Sequence, residues 1–385
     1  MVEEMKSILI PWIYYGAFGH VVEAIETANN YKTAHPESRV SVVLSKANST
    51  AITNYCPWID TTYTLDTERD IDQQLKSIPQ SWDHIVYPLR LSYQPEQWYS
   101  SQLLDANRRL QEYLNPRLGA QFDDGALLSG IRLASQKYAK IRMQLPAETL
   151  RWAQLQRDPN ASPVVSVLLN GSAPFSAFPS LRTWRFILEG ISARFPTASF
   201  WLTGVSEKHG YAFSIAQSRN KAIRRLASLI PQLNFYIDVG IEKQLALIAA
   251  SDVFLAPHTG FSFLAPCLGT PWLALSGGSW GDCTAGDTPF YFSLPACDRY
   301  PCHGNRKLVC RICDKLRTPV PCVASMLNAR REDVLNGLAH LLDPTFDLQQ
   351  SFHQYRKLAS EQGVNVDELW RIAKYYQDVD TQQRL

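Results

Sequence analysis

No window of this sequence approaches the roughly 20 consecutive apolar residues that a bilayer-spanning helix requires. The opening residues, Met1-Val2-Glu3-Glu4-Met5-Lys6, carry two carboxylates and run directly into an apolar strand. No signal-type apolar core with a small-residue cleavage site follows them. A cytoplasmic protein is the expectation, with peripheral contact with a membrane left open. An excess of one charge is missing as well: 38 Lys and Arg face 36 Asp and Glu, for a formal charge of +2. No overall field then draws the chain to nucleic acid, which is not an expected partner. Two short basic clusters, Lys221 with Arg224 and Arg225 and the stretch from Arg317 to Arg331, read as solvated surface. There is no repeat of solenoid period and no low-complexity tract. Two Asp-x-Asp strings occur, Asp70-Ile71-Asp72 and Asp378-Val379-Asp380, but one lies in a polar helical run and the other in the terminal tail. Neither sits at a strand end, where a divalent cation would be held, so nothing visible requires Mg²⁺.

What is present is a globular composition, 45% hydrophobic and 19% charged, over 385 residues. That excludes disorder over most of the chain, and the length favours two domains. Apolar runs and helical segments alternate along it. The segment 7–13 reads as a buried parallel strand, followed by a small-residue turn, a helix from Val21 to about Thr33, and a second strand at 40–45. A further strand is expected at 83–88 and a helix-rich stretch at 94–150. A polar, proline-containing run at 156–160 marks a domain boundary. Beyond it, strands at 164–169, 199–203, 234–237, 252–256 and 271–275 alternate with helices at 183–195, 222–229, 242–250 and 261–268. Such alternation implies doubly wound parallel sheets, which bind ligands outside the carboxyl ends of their strands. The expected division is 1–157, 158–345 and a helical tail from 346 to 385.

The most informative stretch runs from Ser251 to Gly277: a strand, the turn His258-Thr259-Gly260, a helix beginning Phe261-Ser262-Phe263, and Leu268-Gly269-Thr270-Pro271 into another strand. A helix start offers unpaired N–H groups and the positive end of its dipole, which suits a diphosphate. This stretch resembles the donor motif of glycosyltransferase family 9, the bacterial heptosyltransferases, written Asp-Ser-Gly-x-x-His-x-Ala-x-x-Leu-Gly-Thr-Pro. Ala265 and Leu268-Gly269-Thr270-Pro271 match; His258-Thr259-Gly260 replaces Asp-Ser-Gly, and Phe263 replaces the motif histidine. Gly19-His20-Val21-Val22 resembles the family's Gly-Asp-Val-Val. The run from Leu202 to Glu207 resembles its Gly-Gly-x-x-Glu, and the tail Pro321-Cys322-Val323-Ala324-Ser325-Met326 resembles its Cys-Leu/Met segment.

The resemblance implies an α/β chain of GT-B architecture: an N-terminal Rossmann-like acceptor domain and a C-terminal Rossmann-like nucleotide-sugar domain facing across a cleft. The activity it implies is inverting transfer of a heptose or hexose from a nucleotide-diphosphate donor, ADP-heptose among the candidates. The acceptor is a hydroxyl on a saccharide, glycolipid, protein or small molecule. His20 stands where the family has its proposed base, and a histidine of ordinary pKa accepts a proton at neutral pH; Glu23 could orient it. Donor contacts are expected from Asn170, Gly171, Ser172, Gly204, Glu207, His258, Thr259, Gly260, Phe261 and Ser262, their amides and hydroxyls stabilising the leaving diphosphate. Two other readings stay open, a GT-B nucleotide-sugar 2-epimerase and a sugar-nucleotide or partner-binding protein without turnover. Aromatic residues of the first domain (Tyr14, Tyr15, Tyr87, Tyr93, Trp98, Tyr99) could stack on sugar or serve only packing.

Five of the eight cysteines, Cys297, Cys302, Cys310, Cys313 and Cys322, fall in one short segment. Without an export signal, such clustering favours a metal over disulfides. A Cys-x-x-Cys with flanking cysteines suits structural zinc or iron, with His303 an alternative ligand. Free thiols in an irregular loop are the plainer reading.

Overall fold

The computed structural model describes residues 6–13, 18–46, 50–86, 101–118, 141–171, 179–206, 220–257, 259–275, 331–343 and 345. They fall into two compact units, divided between Gln144 and Leu145. The segment 346–385, expected to be helical, lies outside the described residues.

In the first unit, strand β1 (Ser7–Trp12) is followed by helix α1 (Phe18–Ala34) and β2 (Arg39–Ser45). After a 3-10 turn at Thr50–Tyr55 come β3 (Thr61–Leu65), the short helix α2 (Ile71–Leu75), β4 (His84–Ile85) and the long helix α3 (Ser101–Leu118). The strands are all parallel in the order β3-β2-β1-β4. β1 is apolar after Ser7, and β2 is buried from Val40 to Ser45, because both of their faces are covered. α1 lays Val21, Val22, Ile25 and Ala28 on the sheet. β3, a half-exposed edge strand with threonine at 61, 62 and 64, is a strand the sequence does not announce. Asp70 caps α2 through the Asp72 and Gln73 amides, and Asp72 pairs with Arg109 at 2.9 Å, so this Asp-x-Asp string is structural.

The second unit opens with helix α4 (Ala147–Leu155), then β5 (Val164–Val167), α5 (Leu181–Arg194), β6 (Ser199–Gly204), α6 (Asn220–Leu229), β7 (Leu233–Ile237), α7 (Ile241–Ala249) and β8 (Val253–Ala256). A 3-10 turn at Gly260–Phe263 runs into α8 (Leu264–Cys267), and β9 (Trp272–Ala274) and α9 (Arg331–Leu341) complete the unit. The five parallel strands take the order β7-β6-β5-β8-β9. Trp184, Ile187, Leu188, Phe200, Leu202, Val253 and Leu255 form its core.

The boundary lies ahead of the expected 157/158, and α4 explains why. Trp152 packs edge-on against Tyr236, Lys243 sits 4.9 Å over the Trp152 ring, and Arg157 forks onto both oxygens of Asp252 at 2.9 and 2.7 Å. These partners all belong to the second unit. The polar, proline-bearing run is therefore a turn inside a domain rather than a linker.

Both units share one device at the amino ends of their sheets. The aspartate just before the fourth strand accepts the N–H of the first strand's first residue: Asp83 from Ser7 at 2.6 Å, Asp252 from Val164 at 2.7 Å. The chain order is thus the same in both, with the strand sequence reversing between the first and fourth strands. Ligands of such sheets bind at that reversal, outside the carboxyl ends. Among the described residues no helix is long and apolar enough to cross a membrane.

Candidate functional site

In the second unit the reversal lies between β5 and β8, so the chain leaving those two strands forms the candidate site. Past β5, Leu168 donates its N–H to Leu255 at 3.1 Å, and the Trp184 indole N–H donates to the Leu169 carbonyl at 3.0 Å. That fixes Asn170 and Gly171 at the strand end. Past β8, the Trp272 indole N–H and the Leu275 amide both donate to the Ala256 carbonyl, at 3.2 and 2.8 Å. That fixes Pro257 and the turn that follows.

The two strand ends meet at Gly171 and Thr259. A Cβ built on Gly171 would stand 2.6 Å from Thr259 Cγ2 and 2.8 Å from its Cβ. Only glycine allows the two loops to come this close. Beside it Asn170 is 7% exposed, and its Oδ1 has no hydrogen-bond partner among the described residues. Thr259 is half-buried and takes the position before the 3-10 turn at Gly260–Phe263, with extended backbone. The N–H of Gly260, the turn's first residue, has no partner among the described residues, so a ligand oxygen can use it.

Ser262 departs from its expected role as a donor contact. It is fully buried, its hydroxyl donates to the Pro257 carbonyl at 2.9 Å, and it lies 3.1 Å from Thr259 Oγ1. It ties the turn together from inside. Phe263, at the position of the family's motif histidine, is buried edge-on against Trp272 with ring centroids 5.2 Å apart. Here that place is packing. The fully matching part of the motif is turn chemistry. Gly269 has φ +86°, and its N–H and that of Thr270 bond back to Pro266 and Ala265 in the pattern that closes a helix. The Thr270 hydroxyl donates to the Ile248 carbonyl at 2.8 Å.

A second ordered corner lies at the carboxyl ends of β6 and β7. Gly204 (φ +148°), Asp238 (φ +61°) and Gly240 (φ +84°) are three of the four positive-φ residues among those described. Asp238 donates its N–H to the Gly204 carbonyl at 3.0 Å, takes the Ser206 N–H at 2.8 Å through one carboxylate oxygen and the Ser206 hydroxyl through the other. The buried Gln244 donates to the same Gly204 carbonyl at 3.1 Å. The two glycines take such backbone freely, and the one non-glycine, Asp238, is held in it by its bonds to Gly204 and Ser206. Asp238 and Gln244 escaped the sequence reading; the visible signal was an Asp followed two residues later by Gly at a strand end.

Of the expected site residues, Asn170, Gly171, Thr259, Gly260, Phe261, Ser262 and Gly204 are described, all in the second unit. Ser172, Glu207, His258 and the cysteines Cys297, Cys302, Cys310, Cys313 and Cys322 lie outside the described residues. His20 is the third residue of α1, in the first unit, with its side chain outside the description, as is that of Glu23. On α3 the Asn107 amide donates to the carbonyl of Ile13, the last described residue before α1, at 2.6 Å. Among the described residues no group of three or more His, Cys, Asp or Glu is arranged to hold a metal. Burial pushes the Cys56 thiol up to about 12, which leaves it an unreactive core residue.

Comparison with solved structures places this arrangement. A glycosyl transferase of family 9 from Veillonella parvula aligns with a TM-score of 0.58 at 12% identity, covering 89% of this chain and 98% of its own. The ADP-heptose lipopolysaccharide heptosyltransferase II of E. coli aligns with a TM-score of 0.57 at 12% identity, covering 88% and 98%. The fold is that of the GT-B glycosyltransferases. No protein-family model matches the sequence, and no curated protein does. At this identity the likeness is one of fold, which both Rossmann-like strand orders share.

Proposed function

We propose that this chain is an inverting glycosyltransferase that moves a heptose or hexose from a nucleotide-diphosphate donor to a hydroxyl acceptor. The observation that carries the reading is the Gly171–Thr259 approach at the strand reversal of the second sheet. So close an approach of the two loops, beside the half-buried start of a 3-10 turn, suits a diphosphate held by N–H groups. The likeness to the heptosyltransferase motif between Ser251 and Gly277 makes ADP-heptose the first donor to try. His20 is proposed as the base that takes the acceptor's proton, the acceptor being a saccharide, glycolipid, protein or small molecule. The five clustered cysteines are proposed to hold a structural zinc or iron.

A thermal-shift screen of the purified chain against ADP, UDP, GDP and their sugars tests this directly. A shift of several degrees with one base, lost in Gly171→Ala, supports the reading. Folded protein that responds to none of them sinks it.

A further inference from the structure

The expected donor turn offers two hydroxyls, and their protons can be traced. Ser262 Oγ lies 2.9 Å from the Pro257 carbonyl oxygen, which can only accept, so the Ser262 proton is spent there. Ser262 Oγ also lies 3.1 Å from Thr259 Oγ1. A serine hydroxyl carries one proton. The proton in this second contact must therefore come from Thr259. Thr259 Oγ1 is left with lone pairs to offer and nothing to donate.

A phosphate oxygen at neutral pH is likewise an acceptor, and would meet Thr259 Oγ1 lone pair to lone pair. The side chain is also held in place: it is β-branched and stiff about χ1, and its methyl is the atom packed tightest against Gly171. Exchanging the methyl and hydroxyl positions would disturb both contacts. The neighbouring loop adds a second acceptor, the Asn170 Oδ1, which is buried and lacks a partner among the described residues. An unpaired buried oxygen is costly, and a donor brought by a ligand or a water relieves it.

We infer that Thr259 accepts a hydrogen bond from a hydroxyl of the donor's sugar, and that the diphosphate is left to backbone N–H groups of the turn. This rests on the glycosyl-donor reading. It makes Thr259 a residue that distinguishes a nucleotide sugar from the bare nucleoside diphosphate released after transfer.

The test is titration calorimetry on the full chain with ADP and ADP-heptose, and in parallel UDP with UDP-glucose and GDP with GDP-mannose, using the pair whose base binds. Thr259→Val keeps the methyl against Gly171 and removes the oxygen. It is expected to weaken the nucleotide sugar about three- to tenfold, the worth of one hydrogen bond, while the nucleoside diphosphate changes less than about twofold on the same scale. Thr259→Ser, which keeps the oxygen, retains the preference for the sugar form. Thr259→Ala gives the same comparison if the valine variant does not fold. Equal losses on both ligands would put the phosphate on the hydroxyl and overturn the inference, as would no loss on either. Both outcomes leave the donor reading standing. Folded wild-type protein that binds none of the six ligands overturns the donor reading, and this inference with it.

Discussion

Gly171 and Thr259 approach so closely that the hydrogen on the glycine Cα is the largest substituent the fold admits: a Cβ there would stand 2.6 Å from Thr259 Cγ2. The obstruction comes from a branched side chain held by its own backbone, not from the tip of a flexible one. Gly171→Ala must therefore push the β5 and β8 loops apart. The expected cost is about 1–3 kcal/mol, the usual range for overpacking a well-filled site. It should come with at least a tenfold loss of nucleotide affinity, about 1.4 kcal/mol on the binding scale. Urea denaturation reads the first and calorimetry the second; an alanine variant as stable and as tight-binding as wild type would show that the loops do not need this contact.

Much of this was legible in the residues. Every strand expected from apolar runs is found, and the inner ones, buried on both faces, leave an unbroken signal such as Ile8-Leu9-Ile10 or Val253-Phe254-Leu255. Thr61–Leu65 was missed because three threonines in five residues leave no apolar run, whereas the other edge strand, Leu233–Ile237, keeps Leu, Phe, Tyr and Ile. The domain division was misplaced because a turn and a linker share the same composition, and only the Trp152 and Arg157 contacts tell them apart. At the candidate site, the sequence pointed to the turn but not to the direction of its hydroxyls. Ser262 reads as a phosphate donor until the Pro257 carbonyl beneath it is seen. Asp238 and Gln244 act on a turn more than 30 positions away in the chain, a relation no local pattern contains.

Asp238 holds two separable contributions. Its left-handed backbone would cost a residue with a plain Cβ about 1–2 kcal/mol, and its carboxylate takes two hydrogen bonds from Ser206. Asp238→Ala should lose both contributions, about 2–3 kcal/mol together. Asp238→Gly should lose only the hydrogen bonds, because glycine adopts this backbone freely. The glycine variant is thus expected to be more stable than the alanine variant by about 1 kcal/mol in urea denaturation. The reverse order would mean that the backbone at this position relaxes without penalty.

The Asp83–Ser7 clamp gives the first unit a pH-dependent term. Hydrogen bonds from the Ser7 backbone N–H, then from its hydroxyl, hold the Asp83 carboxyl below the usual carboxylate value. A carboxyl depressed in the folded state stabilises above its unfolded pKa of about 3.9, and loses that contribution as pH falls through the folded value. Asp83 is exposed, so screening keeps the effect to about 0.5 kcal/mol. Wild type should thus exceed Asp83→Asn in melting temperature at pH 6–7, with the gap closing as pH falls below about 4. A gap that widens in acid would contradict the assignment.

The cysteine segment makes a compositional prediction. Protein purified without chelator should carry about one zinc or iron per chain by mass spectrometry of the metals, since a tetrathiolate site closes on one ion. Replacing Cys310 and Cys313 together should remove it. If the ion is structural, its loss lowers the melting temperature, whereas loss of turnover with unchanged melting would give the ion a different role. Protein that never binds metal would leave the five clustered cysteines as free thiols.

The sharpest consequence for chemistry concerns His20. A positioned base contributes roughly 10²–10⁴-fold to a transfer that must remove a hydroxyl proton. In the proposed role it acts on the acceptor, whereas the proposed donor turn belongs to the other unit. Removing it should therefore separate binding from turnover. His20→Ala is expected to lower kcat by about that factor, with nucleotide affinity, measured without acceptor, still readable by calorimetry. His20→Asp supplies the group the resembling family carries at this place, and is expected to recover part of the lost rate where His20→Asn does not. Asparagine has a similar shape but accepts no proton at working pH, so recovery by aspartate alone would separate proton transfer from packing. Equal kcat in wild type and His20→Ala would remove the histidine from the mechanism while leaving the nucleotide turn untouched.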